Sequence, residues 1–176
     1  MISDTTTMKK TLIFGLLFFS IISYGQTKID RTNKLLTSKY AGTYGYGKDV
    51  EKGRIGTIFI YPETDSTILF YIDLNRGAPS YNMGSLYGRV KIINSSGTFY
   101  TKFDYSDNGC KWTFLFLRSN LTIKTIDEQD NCGFGGAVFA DGIFKRISNK
   151  MLDYFEDMEG KKIYFKTTKP EDYYKD

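Results

Sequence analysis

The sequence predicts an all-β protein, an antiparallel meander of about 8–10 strands closing as a small barrel or a two-layer sandwich. Three observations carry that expectation. From Tyr40 onward, apolar and polar residues alternate with period two, the repeat of a half-buried strand. The 176 residues include 14 Tyr and 14 Phe, rings that pack well on a pleated surface. Clusters of Gly, Asn, Asp and Ser punctuate the alternating runs, and no helices alternate with them as a parallel sheet would need. A barrel is favoured slightly, because consecutive hairpins need no crossover and closure hides the edges.

The chain opens on a different pattern. Lys9 and Lys10 precede an apolar run from Thr11 to Ser23, and Ser23 and Gly25 place small residues at the −3 and −1 positions of a cut before Gln26. That is the order of a cleavable secretory signal peptide. The run is shorter than the ~20 residues a membrane-spanning helix needs. Residues 1–25 are therefore expected to be removed, and residues 26–176 to form one domain in the periplasm or outside the cell. The segment MISDTTT ahead of the basic pair suggests that translation starts at Met8. The mature chain carries no second apolar segment of membrane length.

Residues 26–39 read as a polar leader or one short helix around Leu35 and Leu36. Tyr40, Gly42, Tyr44 and Tyr46 begin the first strand. Residues 56–61 and 66–74 are two β-rich runs joined by Pro-Glu-Thr-Asp, a hairpin signature. Residues 75–82 are irregular, and 83–93 return to alternation. Residues 94–97 turn the chain, 98–105 bring it back, and 106–109 turn it again. In 110–117, Trp112, Phe114 and Phe116 oppose Thr113, Leu115 and Leu117, apolar enough on both faces to be central. Residues 121–126 follow as a strand, 127–136 as an acidic and then glycine-rich loop, and 137–147 as a strand with a bulge or turn at Asp141-Gly142. Residues 151–166 fit either a helix or a hairpin turning at Glu159-Gly160; the aromatic flanks favour the hairpin. The polar tail from Thr168 is expected to fray.

Cys110 and Cys132 are expected to form a disulfide, as a lone pair in an exported chain most simply does. The loop-entropy model gives the bridge roughly 3 kcal/mol. The absence of histidine excludes Ser–His–Asp and Cys–His relays and His-ligated zinc. The net charge is +4, falling to +3 once Asp4, Lys9 and Lys10 leave with the leader, and its basic residues are scattered. That pattern does not indicate nucleic acid.

No catalytic residue, metal ligand or cofactor is expected. Asp104 to Gly109 has the opening of a calcium loop, but position twelve is Leu115 where a bidentate Glu belongs. Cys132-Gly-Phe-Gly-Gly136 lacks the helix and Lys of a phosphate loop. Asp127, Glu128 and Asp130 could serve a glycan hydrolase only with a partner such as Asp73, Asp104 or Asp141 from another strand. The loop from Arg76 to Asn82, with Tyr81, is the best candidate for partner contact, since loops on a rigid sheet carry recognition.

Ser96-Gly97-Thr98-Phe99-Tyr100 contains S-G-x-x-Y, which resembles an inhibitory-loop motif of the periplasmic c-type lysozyme inhibitors, small disulfide-containing antiparallel barrels. The resemblance implies a loop whose Ser96 and Tyr100 insert into a lysozyme cleft. It covers five residues, and the family's second T-K-G loop is not matched, since Phe103 follows Thr101-Lys102. The functional expectation is a non-enzymatic binding protein, displayed as a protein or enzyme inhibitor on a rigid scaffold. The alternative is a barrel holding a small apolar or sugar ligand, and a carboxylate-based glycan hydrolase ranks last.

Overall fold

The computed structural model describes residues 34–104 and 108–175, so the expected leader lies outside the described residues. A 3-10 turn over Leu36–Tyr40 leads into ten strands and one short helix. The strands are β1 (Gly42–Tyr46), β2 (Ile55–Pro62), β3 (Thr67–Asn75), β4 (Met83–Lys91), β5 (Ser96–Thr101), β6 (Cys110–Leu117), β7 (Asn120–Asp130), β8 (Gly142–Ser148), β9 (Tyr154–Glu156) and β10 (Lys162–Tyr164), and α1 spans Pro170–Tyr173.

The first eight strands form one antiparallel sheet in the order β4-β3-β2-β1-β8-β7-β6-β5. Chain neighbours pair except β4 with β5, and β8 returns to β1, with Tyr44 opposite Arg146 and Gly45 opposite Lys145. The sheet is a nearly closed up-and-down barrel. Its seam falls between β4 and β5, and one isolated bridge, Ile93 to Ser96, closes the turn that connects them.

Period-two patterning explains the interior. On β2, β3 and β4, Ile58, Ile72 and Leu86 lie in one register row and Ile60, Phe70 and Gly88 in the next. These side chains meet Phe99, Trp112, Phe114, Leu121, Ile123 and Phe144 from the far wall in one buried cluster. A Cβ on Gly88 would lie 2.6 Å from the rings of Phe70 and Phe99, so the smallest residue stands where the walls come closest. The disulfide Cys110–Cys132 is present and buried, and it ties the start of β6 to the loop after β7.

The outer face of β2–β4 is apolar too. Phe59, Tyr71 and Tyr87 form one outward row, and Tyr61, Leu69 and Arg89 the next. The hairpin β9–β10 covers them with Phe155, Ile163 and Phe165, making a second core outside the barrel. Residues 151–166 are therefore a hairpin, turning at Gly160, whose φ of 80° is the left-handed conformation that glycine adopts without strain.

Four expectations need correction. The last barrel strand, β8, starts at Gly142, and 137–141 form a loop whose Val138 and Ala140 join the core. Tyr40 belongs to the 3-10 turn and not to β1. Strand β6 has neighbours on both sides, but Leu115 and Leu117 on its outer face are exposed; the strand covered on both faces is β3. The polar tail does not fray. Pro170 is buried, Tyr87 donates its hydroxyl to Thr168 O at 2.8 Å, and Glu63 binds both Arg89 and Lys169. Tyr174 lies at the seam. Its hydroxyl accepts from Tyr87 N at 2.8 Å and donates to Tyr87 O at 3.1 Å, the two bonds a neighbouring strand would supply. Among the described residues no helix is long and apolar enough to cross a membrane.

Candidate functional site

One concavity is a groove on the outside of β2–β3. A third outward row, Thr57, Asp73 and Ser85, follows Phe59–Tyr71–Tyr87 in the same register. The C-terminal hairpin covers the aromatic rows but not all of this polar one. The chain from Lys150 to Glu156 passes beside it as a wall, and the open groove between them has a volume of about 560 Å³. Phe59 and Tyr71 stack nearly parallel, 6.4 Å apart, and Tyr71 stacks on Phe155 at 3.9 Å, so the aromatic part of the floor is rigid.

Asp73 is the polar centre of this floor. Burial pushes its carboxyl above the ordinary carboxylate range, opposed by a hydrogen bond with the Leu74 backbone. Burial likewise pushes the Tyr71 hydroxyl up to about 12; a hydrogen bond with Ser85 opposes the rise, and the charge on Asp73 adds to it. On the wall, Asp153 and Glu156 face the same space as Lys150. Lys162 stands opposite Glu156 in the β9–β10 register and lies over the Tyr154 ring, 4.7 Å from its centre.

The loop from Arg76 to Asn82 lies at the barrel end, folded into its neighbours. Tyr81 donates its hydroxyl to Glu51 at 2.6 Å, Ala78 N donates to Val50 O at 3.0 Å, and Asn82 Nδ2 donates to Gly136 O at 2.7 Å. Arg76 is exposed, and Tyr81 keeps 42% of its surface. Ser96 and Tyr100 lie on a different strand, β5. The S-G-x-x-Y segment is therefore a strand and not an inserting loop, with Ser96 Oγ donating to Phe114 O at 3.1 Å. The five candidate residues do not converge on one site.

The acids of 127–130 separate as well. Asp127 and Glu128 take positive φ in an irregular stretch of β7, and Asp127 pairs with Lys111. Glu128 and Asp130 line a second cavity of about 430 Å³ with Arg54 and Asp141, but Asp141 is held by Thr125, accepting from its amide at 3.0 Å and its hydroxyl at 2.6 Å. Among the described residues no three acidic or cysteine side chains are placed to hold a metal ion.

No protein-family model matches the chain, and no curated protein or solved structure matches it either. Sequence reasoning named Asp73 only as a distant partner for other acids and passed over Phe59 and Tyr71. The available signal was that Phe59, Tyr61, Leu69 and Tyr71 make the face opposite Ile58, Ile60 and Ile72 apolar as well, with one polar pair, Thr57 and Asp73, at its end.

Proposed function

We propose that the chain is an exported, non-enzymatic binding protein that engages a partner protein through the groove on the outside of β2–β3. One observation carries the reading: a rigid aromatic floor of Phe59 and Tyr71 with a half-buried carboxylate, Asp73, open to a cavity of about 560 Å³. Concave apolar surface with a few placed polar groups is the usual form of a recognition site. Export is supported by the leader pattern and by the disulfide, which persists in oxidising compartments. The carrier alternative needs an open interior, whereas Trp112, Phe70, Phe99 and Phe114 pack together there. Hydrolase chemistry at 127–130 is disfavoured by the engagement of Asp127 with Lys111 and of Asp141 with Thr125.

Photo-crosslinking in the exported protein tests this, with a photoreactive residue at Phe59 and, in separate variants, at Tyr81 and Tyr100. A discrete protein adduct from position 59 alone is expected. Adducts confined to position 81 or 100 would move the site to the barrel end or to β5. Lysozyme inhibition lost on Ser96→Ala and Tyr100→Ala would likewise transfer the function to β5. Turnover of cell-wall or plant glycans by the purified protein would overturn the non-enzymatic reading.

A further inference from the structure

The chemistry of the groove selects among partners. Asp73 sits on the floor, and Asp153 and Glu156 stand on the wall, against one cation, Lys150, among the lining residues. Glu156 is partly answered by Lys162 across the hairpin register, so the acids that stay unbalanced are Asp73 and Asp153. The groove is thus negative on a chain whose formal net charge is +4. Among the described residues no salt bridge reaches Asp73, whereas Glu63, another partly buried acid on this outer face, is held by both Arg89 and Lys169. Two acids on one sheet face are therefore treated differently: one is neutralised within the fold, the other is left facing a cavity. Beside it the partly exposed Phe59 offers aromatic surface, backed by the buried Tyr71 ring stacked against it.

A carboxylate next to stacked rings suits a planar, delocalised cation. A guanidinium lies flat on an aromatic face while its fork donates two parallel hydrogen bonds to a carboxylate. An ammonium cannot do both so well, and a neutral sugar would supply donors without answering the charge. We infer that the groove receives an arginine side chain of the partner protein, the guanidinium stacking beside Phe59 and pairing with Asp73. This rests on the reading of the groove as the recognition site and adds the chemical class of what enters it.

The probe is N-acetyl-arginine amide, titrated into isotope-labelled protein and followed by amide chemical shifts, beside its neutral isostere N-acetyl-citrulline amide. The arginine probe should move the amides of Tyr71, Asp73 and Phe155, and the citrulline probe should bind about tenfold more weakly, a difference of about 1.4 kcal/mol. Asp73→Asn should reduce arginine binding to the citrulline level while the core resonances of Trp112 and Phe144 stay in place. Lys150→Glu, on the exposed rim, should tighten arginine binding several-fold. Equal binding of the two probes at the groove, or an Asp73→Asn protein that keeps its arginine affinity, overturns the arginine assignment and leaves the groove standing as a site. Amides that respond to neither probe, together with no crosslink from position 59, overturn the site itself.

Discussion

Replacing Tyr174 by Phe removes one oxygen atom from the seam of the barrel. Its hydroxyl makes two hydrogen bonds with the backbone of Tyr87, at 2.8 and 3.1 Å, on the edge of β4 that faces away from β3. A hydrogen bond contributes about 1 kcal/mol net, so the pair sets an upper value of about 2 kcal/mol. Tyr174 is 47% exposed, so water can take over part of that role, and a loss of about 1–1.5 kcal/mol is expected. Phe keeps the ring contact with Tyr173, at 4.9 Å between centroids, so packing is largely preserved. The assay is native-state hydrogen exchange. The Tyr87 amide should exchange about tenfold faster in Tyr174→Phe, since 1.4 kcal/mol corresponds to a factor of ten. The Leu86 amide, which points to β3, should keep its protection. An unchanged Tyr87 rate would refute the argument that this side chain stands in for a missing strand.

Three further outcomes are expected. Asp73→Asn should stabilise the fold at neutral pH, because burial raises the folded-state pKa of Asp73 and its ionised form is disfavoured there. The gain over wild type should be absent well below the ordinary aspartate range, grow as pH rises from that range through the raised pKa, and then level off, as denaturant midpoints across that window will show. Glu63→Gln should show the opposite profile. Burial pushes the Glu63 carboxyl up, but hydrogen bonds from Arg89 and Lys169 outweigh it and hold the pKa below the ordinary value. Its stabilisation is present above the unfolded pKa and lost as pH falls through the folded one, so the variant should lose roughly 2 kcal/mol at neutral pH and little in acid. Replacing Cys110 and Cys132 together by Ser should cost about 3 kcal/mol, read from urea denaturation of oxidised wild type against the variant.

The barrel was legible because its information is local. Residues 56–61 and 66–74 alternate, the Pro62 turn lies between them, and their register follows. Residues 110–117 were harder to place, since Leu115 and Leu117 read as buried and are exposed, while β3 carries the covered outer face. That difference depends on where the C-terminal hairpin docks, about 80 residues further along the chain, and period-two patterning does not encode it. The groove was hidden for the same reason. Asp73 is an ordinary alternating carboxylate until residues 150–156 pass beside it and take away its water. The tail looked solvated because Lys, Glu and Asp dominate it, yet Tyr173, Tyr174 and Pro170 supply its contacts. The loop from Arg76 to Asn82 looked free because the backbone groups that hold it, such as Val50 O and Gly136 O, leave no side-chain signature.

The position of the seam has a kinetic side. Strands β4 and β5 are joined by a tight turn, so bringing them together closes a loop of a few residues, at about 1.5 kcal/mol in the logarithmic chain-closure model. The joint where two strands do pair is the distant one, a short ladder with a register shift in which Tyr44 meets Arg146 across 102 residues, and the same model gives about 4 kcal/mol. Residues 42–91 and 96–148 are each a run of short-range hairpins that can form early. Bringing β1 to β8 is then the slow search, and the groups at that joint are suited to ending it. Arg146 donates through Nε to the Tyr44 hydroxyl at 2.9 Å and through its terminal nitrogen to Lys39 O at 2.7 Å. Weakening Arg146 should therefore slow refolding more than it speeds unfolding, whereas weakening Tyr174, a tail residue 87 positions from the Tyr87 it bonds and one that docks on the assembled barrel, should act mainly on the unfolding rate.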